Sequence, residues 1–358
     1  MFGWEDVTGT LGGDLVARGS MNLGVVHLAF TGEGIDHTMA AHATVARLIA
    51  QPGASLSIEG DVVVTERATA DNATITVDPD GSLTLGNGPL GRASALRPGT
   101  GEILGLVTRE IILPATANHG TLNTVEQRIA LGLEGVTVDQ FIGDIPTWGF
   151  DGADSAEGWS NLGFWDVNSA WSYKQITSVH DSLPVVQGIY LALAPAESYT
   201  LTFKGTLPGK EVALDIPLDL YPAVFGNPLN APYNLNAIGS ENDSKAMDLS
   251  CWNIETLQFD THVQGHSTNG LNGVLNPNTT CQVLPSENLA LEFSSDDVDL
   301  TEGTNFSEDR GRLVFSLSNQ SGYSDEALLL LADSASTGFV SAEDGRNTKS
   351  WSASCDLY

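Results

Sequence analysis

The feature that most constrains the fold is a series of short runs in residues 10–113, in each of which apolar residues alternate with small polar residues. Glycine, proline and aspartate separate one run from the next. Residues 52–60 (PGASLSIEG) are echoed by residues 79–86 (PDGSLTLG), and each segment is typical of a turn followed by a strand. Val62–Val64 and Thr74–Val77 supply further strands. Repetition at about 25–30 residues with glycine-marked corners predicts a β-solenoid. An ordinary antiparallel meander fits the same pattern nearly as well.

One segment of this region, His37–Gln51, predicts a helix instead. Its apolar residues fall roughly on one helical face: Met39, Val45, Ala46, Leu48 and Ile49. Pro52 follows directly and would end such a helix.

The later part of the chain predicts β-sandwiches. Gly188–Leu193 and Ser198–Gly205 are alternating strands joined by a proline-containing turn, and Val212–Leu220 is a further strand. The last third adds strands at Glu255–Phe259, Leu289–Phe293, Arg312–Leu317 and Ala327–Leu331. Short strands at regular spacing are typical of a β-sandwich. We therefore predict a mainly β protein, with a β-solenoid-like or meander region at 1–115 followed by one or two β-sandwich domains, placed at 116–225 and 226–358.

The charge balance excludes one class of partner. The 358 residues include 15 Lys and Arg against 45 Asp and Glu, which gives a formal net charge of −30. Nucleic-acid binding needs Lys and Arg for phosphate contacts, so no nucleic-acid partner is expected. An anionic membrane surface is disfavoured for the same reason. No run of 18 apolar residues occurs, so membrane insertion is not expected either.

Three cysteines allow at most one intrachain disulfide: Cys251, Cys281 and Cys355. Cys251 and Cys281 flank a segment of strand-and-turn character, and we predict that these two pair if the compartment is oxidising. Three unreacted thiols are the alternative. No CxxC or CxxH spacing supports a zinc site.

Calcium is the one metal for which the sequence offers candidate ligands, although no cofactor is required. Three acidic clusters place hard oxygen ligands in predicted loops: Asp78 and Asp80, Asp151 and Asp154, and Asp296, Asp297 and Asp299. None has the spacing of an EF-hand. Solvated turns stabilised by the aspartate side chains are the alternative explanation for each cluster.

Aromatic residues crowd between Trp148 and Tyr173, and we select Trp159, Trp165 and Trp171 as candidate ligand or interface residues. The faces of tryptophan and tyrosine rings suit carbohydrate, with acidic neighbours accepting from sugar hydroxyls. Tryptophan in a small β-sandwich is, however, more often a core or subunit-contact residue.

Residues 145–358 resemble a recurrent β-sandwich module of Bacteroidetes surface proteins that the type IX secretion system exports. Gly188–Leu191 followed by Leu201–Gly209 looks like the module's paired strands, and Phe225–Pro232 resembles its GNP turn, with Leu229 and Asn230 in place of an aromatic residue and a serine. Arg312–Asn319 with Asp325–Leu329, and then Asp333–Phe339, resemble its later strands and loop. The resemblance implies an extracellular, non-catalytic module for adhesion or surface assembly, without catalytic residues.

These observations favour a secreted or cell-surface structural or adhesive protein. It would assemble with copies of itself as a filament or surface-layer subunit, with surface glycans as further candidate partners, and it would not be an enzyme. HExxH, GxSxG and GxxxxGK[ST] motifs are absent from the sequence. Two alternatives stay open: a carbohydrate-binding module or fragment of a polysaccharide-degrading enzyme, and a viral coat protein.

Overall fold

The structure, a computed structural model, describes residues 7–86, 93–113, 125–166, 173–194, 198–217, 222–235, 237–239, 249–254, 258–263, 266–267, 271, 273–283, 288–298, 311–318 and 324–331. The predicted fold class is confirmed, because these residues are mainly β. Their one α-helix is α1 (Val138–Ile142), and two 3-10 turns lie at Ala237–Gly239 and Ser295–Asp297. No helix within the described ranges has the length and hydrophobicity needed to cross a bilayer.

The strands of the first half are β1 (Val7–Leu11), β2 (Leu15–Phe30), β3 (Asp36–Ala50), β4 (Ser55–Ile58), β5 (Asp61–Ala70), β6 (Thr74–Val77), β7 (Ser82–Leu85), β8 (Ser94–Leu96), β9 (Glu102–Leu104), β10 (Val107–Leu113), β11 (Val125–Ile129), β12 (Leu162–Trp165) and β13 (Tyr173–Gln175). Those of the second half are β14 (Ile189–Leu193), β15 (Tyr199–Gly205), β16 (Glu211–Ile216), β17 (Ala223–Gly226), β18 (Tyr233–Asn234), β19 (Leu249–Asn253), β20 (Gln258–Val263), β21 (His266–Ser267), β22 (Val274–Leu275), β23 (Thr280–Val283), β24 (Leu289–Ser294), β25 (Gly311–Ser318) and β26 (Ser324–Leu331).

The N-terminal region is the predicted solenoid, a β-helix whose strands β1–β10 all pair in parallel with one another. We name its three sheet faces A, B and C. Face A contains the start of β3 with β4, β6 and β9; face B contains the middle of β3, the start of β5, β7 and β10; face C contains the ends of β3 and β5 with β8.

The register shows the length of a coil. Ser55 of β4 lies beside Thr74 of β6, 19 residues further along the chain, and Val62 of β5 lies beside Leu83 of β7, 21 residues further. The two echoed sequence segments therefore do not stack on each other, because β4 belongs to face A and β7 to face B. Similar turn-and-strand segments recur on different faces of the β-helix. The spacing between the two echoed segments therefore compares two different faces, and it is longer than one coil.

The interior of the β-helix follows from the alternation within each strand. Leu56, Ile75 and Ile103 occupy matching positions of β4, β6 and β9 and are buried. Parallel stacking of such side chains removes apolar surface from water on every coil. Glycine permits the tight corner between faces A and B, because a Cβ at Gly60 would collide with the carbonyl oxygen of Ala41.

The predicted helix over His37–Gln51 is wrong, since these residues form strand β3 (Asp36–Ala50). The buried positions of β3 alternate along the strand through Val45, and the parity then changes, so that Leu48 and Ala50 are buried. A register shift between Val45 and Arg47 marks this point, where the strand passes from face B to face C. The change of parity puts buried residues three apart, which imitates the spacing of an amphipathic helix.

The end of face B is covered by a strand from the later part of the chain. β15 runs antiparallel to β10, with Val107 beside Gly205. β14 lies instead in a four-stranded sheet of order β11-β14-β12-β13. The two strands that the sequence predicts as joined by a turn are therefore consecutive in the chain but belong to different sheets.

The described part of the second half forms further sheets. β16 pairs with β24, β18 with β22 and β25 with β26, and a five-stranded sheet has the order β17-β23-β19-β20-β21. Phe293 packs between Phe225 and Tyr233, with ring centroids 6.0 and 5.3 Å apart. Buried apolar residues of the described ranges form two large cores, one shared by the β-helix and the four-stranded sheet and one around Phe293.

Candidate functional site

The most exposed large apolar side chain among the described residues is Trp159, with 82% of its surface accessible. It lies in the loop of residues 146–161, which we call the Trp159 loop and which leads into β12. Trp159 takes part in no hydrogen bond, ring contact or cation contact within the described part of the chain. The indole is therefore held out from the protein rather than packed into its core.

The Trp159 loop is nevertheless fixed by hydrogen bonds. The side chain of Asp154 accepts from the backbone N–H of Thr147 at 2.8 Å and from the Thr147 hydroxyl at 3.1 Å. Asn161, which is buried, accepts from the backbone N–H of Trp148 at 2.9 Å and donates to the carbonyl oxygens of Pro146 and Ala192, each at 3.1 Å. These contacts attach both ends of the loop to each other and to β14.

Two glycines bring the sides of the Trp159 loop together. Gly149 has φ +85°, and a Cβ there would collide with the carbonyl carbon of Trp159. Gly158 has φ +92° directly before the exposed indole. Both conformations favour glycine, so the sequence itself specifies this close approach. The loop also carries the exposed carboxylates of Asp151 and Glu157, which make its surroundings acidic.

The other two candidate aromatic residues lie elsewhere. Trp165 is half-buried at the end of β12, where it pairs with Tyr173 of β13. Its indole Nε1 is buried without a hydrogen-bond partner in the structure as described. Trp171 lies outside the described residues. Of the two that the structure describes, Trp159 is the one that combines high exposure with a fixed backbone.

The acidic clusters form local turns. Asp78 accepts from the backbone N–H of Asp80 at 3.0 Å, and the carboxylate of Asp154 binds Thr147 rather than Asp151. Asp151 forms an isolated bridge with Ser178. Within the described ranges no three His, Cys, Asp or Glu side chains come close enough together to hold a metal ion. Calcium binding at these positions stays a prediction.

The last acidic cluster lies beside the second core. Asp296 and Asp297 belong to a 3-10 turn, and the hydroxyl of Tyr233 donates to the carboxylate of Asp297 at 3.3 Å. Burial is the main cause that raises the pKa of Tyr233, and the nearby Asp297 carboxylate raises it further. Asp299 lies outside the described residues.

Cys251 and Cys281 are joined by a disulfide. They occupy directly opposed positions on the antiparallel strands β19 and β23, and both are buried in the second core. This is the pair that the sequence indicates. Cys355 lies outside the described residues.

A polar contact that sequence analysis missed lies near the disulfide. His262 is buried on β20, and its Nδ1 lies 2.8 Å from the hydroxyl of Ser267. The same hydroxyl accepts from the backbone N–H of Gly273 at 2.9 Å. The contact links β20 and β21 to the segment before β22, which is a structural role.

Face A carries a second surface that the sequence analysis did not select. Five outward-facing hydroxyl residues form two columns, which we call the hydroxyl ladder: Thr38, Ser57 and Thr76 in one column, and Ser55 and Thr74 in the other. None of the five hydroxyls has a hydrogen-bond partner within the described part of the chain. Neighbours are about 4.8 Å apart across the strands and about 6.7 Å apart along them. The signal was present in the alternation of SLSI and TITV.

The ends of the hydroxyl ladder are charged or apolar. Asp36 lies beside Ser55, and Glu102 beside Thr74. Leu104 lies beside Thr76, on the last described strand of the face, and is 46% exposed.

Comparison with protein-family models, with curated proteins and with solved structures gives no match for this chain. Its resemblance to the type IX secretion module therefore stays a prediction.

Proposed function

We propose that the chain is a non-catalytic structural and adhesive protein of the cell exterior, which attaches to a hydroxyl-bearing surface through face A. The observation that carries the proposal is the hydroxyl ladder. Thr38, Ser55, Ser57, Thr74 and Thr76 present uncharged donors and acceptors at regular spacing on a sheet that the β-helix holds rigid. A regular, preorganised array loses little conformational freedom when it binds.

The charge of the molecule defines the partner. The chain has a net charge of −30, whereas the five ladder residues carry no charge. An anionic surface would be repelled by the molecule as a whole. A neutral surface rich in hydroxyl groups can exchange hydrogen bonds with the ladder at short range without this penalty. A neutral polysaccharide is the simplest surface of this chemistry.

The disulfide supports a location outside the reducing cytosol. Disulfides such as Cys251–Cys281 persist in secreted and surface proteins, where the compartment is oxidising. The location remains part of the proposal and is consistent with the adhesive role.

A quartz crystal microbalance coated with regenerated cellulose tests the attachment. We expect the wild type to be retained on the film and the Ser57→Lys variant to be retained at least several-fold less, because the lysine would interrupt the column between Thr38 and Thr76. Thr84→Lys is the matched control, since Thr84 is a half-buried outward hydroxyl residue of face B. Equal retention of the wild type and Ser57→Lys would contradict the proposal.

Self-association is the second part of the proposal. Within the described residues β9 pairs only with β6, so its other edge carries no strand. Leu104 and Leu106 beside this edge are 46% and 58% exposed. Open strand edges with apolar neighbours favour pairing with another chain. We propose that the other chain is a second copy of this protein.

The exposure of Trp159 favours a second candidate function, that of a carbohydrate-binding module. An aromatic side chain fixed in solvent is a common means of binding a ligand with one apolar face and several polar groups. Negative-stain images would separate the remaining alternative, because a coat protein would form closed shells rather than filaments or single molecules.

A further inference from the structure

We infer that the Trp159 loop is a binding site for a neutral sugar ring, which stacks on the exposed indole. The inference rests on the proposed adhesive function and names a ligand class for it, at a site separate in sequence from the hydroxyl ladder. Trp159 would supply the apolar platform, while Asp151 and Glu157 would accept hydrogen bonds from sugar hydroxyls.

The first argument is that Trp159 has no structural role that would explain its exposure. Its side chain is 82% accessible and forms no hydrogen bond, ring contact or cation contact within the described residues. Among the described residues no other exposed large apolar side chain lies in the Trp159 loop; the others are Ile35, Leu104, Leu106 and Ile112. An isolated exposed indole does not provide the continuous apolar area of a protein–protein interface.

The second argument is preorganisation. The hydrogen bonds of Asp154 to Thr147 and of Asn161 to Trp148 hold the loop in one conformation before any ligand arrives. Gly149 allows the backbone opposite Trp159 to approach closely. A ligand that stacks on the indole therefore does not need to order the loop, which lowers the entropic cost of binding.

The third argument is charge. Nucleobases also stack on exposed aromatic rings, but the phosphates of a nucleic acid would meet Asp151 and Glu157 and a net charge of −30. An anionic glycan would be repelled in the same way. A neutral sugar presents an apolar ring face together with hydroxyl donors, and both match what the loop offers.

Isothermal titration with soluble cellohexaose, xylohexaose, mannohexaose, maltohexaose and chitohexaose tests the inference. We expect at least one of these neutral sugars to bind, and Trp159→Ala to weaken the binding about tenfold or more. Trp159→Phe should restore part of the affinity because it keeps an aromatic face. Ile112→Ala is the matched control, since it removes an exposed apolar side chain outside the loop. The melting temperature of Trp159→Ala should equal that of the wild type, because the indole is not packed.

Three results would overturn the inference: no binding of any of the five sugars at millimolar concentration, equal binding by Trp159→Ala, or binding of tetramethylammonium in place of sugar. The last would show a cation site formed by the indole and its acidic neighbours. Failure of the adhesive function is distinguishable. Ser57→Lys should retain soluble-sugar binding while its retention on the cellulose film falls several-fold, and Trp159→Ala should lose soluble sugars while the hydroxyl ladder still attaches to the film.

Discussion

At the scale of single residues, Asp181 shows how a carboxylate fixes a turn. Its Oδ2 accepts from the backbone N–H of Thr177 at 2.8 Å, from the Thr177 hydroxyl at 2.9 Å and from the backbone N–H of Ser178 at 3.1 Å. The hydrogen bond from the Thr177 backbone is the main cause that lowers the pKa of Asp181 below its ordinary value of 3.8. The ionised carboxylate is thus bound more favourably in the folded state.

We therefore expect a pH-dependent effect of Asp181→Asn. A pKa that is lower in the folded state contributes stability above the unfolded pKa, and this contribution is lost as pH falls through the folded pKa. At pH 7 the variant should melt at a lower temperature than the wild type, and the difference should shrink as pH falls below about 4. Thermal unfolding followed by circular dichroism measures this. Glu59→Gln, at an exposed site, is the control for the loss of one carboxylate. A difference for Asp181→Asn that is constant with pH would contradict the expectation.

Arg109 shows where sequence reasoning about residues fails. Alternation along β10 places Arg109 on the same side as Val107 and Ile111, yet a charged residue is normally assigned to the surface. In the structure Arg109 is buried and its Nη1 donates to the carbonyl oxygen of Ala93. Burial lowers the pKa of its guanidinium. The residue type and the alternation disagree, and only the long-range position of Ala93 decides between them.

Trp159 and Trp165 illustrate the same limit for the candidate site. Both are tryptophans in one aromatic-rich segment, and nothing in the sequence ranks one above the other as a ligand residue. The structure separates them because Gly149 and Asn161 fold the Trp159 loop back on itself, whereas Trp165 lies within a paired strand. The two loop glycines are the only sign of this fold-back that the sequence contains. They indicate it only together with contacts between residues ten or more positions apart, such as that of Gly149 with Trp159.

At the scale of elements, the corners of the β-helix limit what can replace glycine. Gly60→Ala should lower the free energy of unfolding by about 1–3 kcal/mol, because the added methyl group would collide with the backbone of Ala41 and force the coil to shift. Chemical denaturation followed by tryptophan fluorescence measures the change. Gly13→Ala is the matched control, since nothing lies within 4 Å of the added Cβ, and its effect should stay within about 0.5 kcal/mol. Equal effects of the two substitutions would contradict the collision.

The disulfide should stabilise the five-stranded sheet. Cys251 and Cys281 are 30 residues apart in the sequence, and closing a loop of this length is worth about 3–4 kcal/mol in the chain-entropy model. The double substitution Cys251→Ser and Cys281→Ser should lower the melting temperature, and a reductant should lower that of the wild type but not that of the double variant. Intact mass before and after alkylation verifies the bond. If the fully reduced wild type melts at the same temperature as the oxidised wild type, the disulfide has no stabilising role.

Strand prediction worked best where both the turn and the alternation are local. β6 begins and ends at the predicted residues Thr74 and Val77, and β4 lies within the predicted segment 52–60. β3 was mistaken for a helix because its change of parity at the corner between faces B and C cannot be distinguished from helical spacing in one sequence. A strand that turns a corner combines two alternating patterns, and each is too short to be recognised alone.

At the scale of the whole molecule, the edge of face A and the acidic surface act in opposite directions. Pairing through β9 would bring together molecules of net charge −30 each. Added salt screens this repulsion, with a Debye length of about 14 Å at 0.05 M and about 4 Å at 0.5 M. Association should therefore increase with ionic strength.

Sedimentation velocity at 0.05 and 0.5 M NaCl tests this expectation. The wild type should form larger species at the higher salt concentration, and Leu104→Lys should form fewer of them because the substitution adds a charge to the open edge. Ile112→Lys is the matched control: Ile112 is exposed to a similar extent, but its strand β10 is paired on both sides. Association that is the same for the wild type and Leu104→Lys would contradict assembly through β9.

The sheet order of the whole molecule was beyond reach of the sequence. The solenoid could be predicted because each coil contacts the next within about 20 residues. β10 and β15 pair although all four strands of the four-stranded sheet, β11 to β14, lie between them in the sequence. No local pattern encodes such a partner. The division into three domains likewise stays a prediction.

The pairing of β10 with β15 also sets an order of events during synthesis. The coils that contain β2–β7 contact near neighbours in the chain and can form as they leave the ribosome, because short loops close quickly. Face B stays open at β10 until the chain has been made as far as Gly205. During that interval the nascent protein carries a free parallel edge that the completed protein does not have. Such an edge can pair with another strand, so β10 is open to misassembly from its own emergence until that of β15.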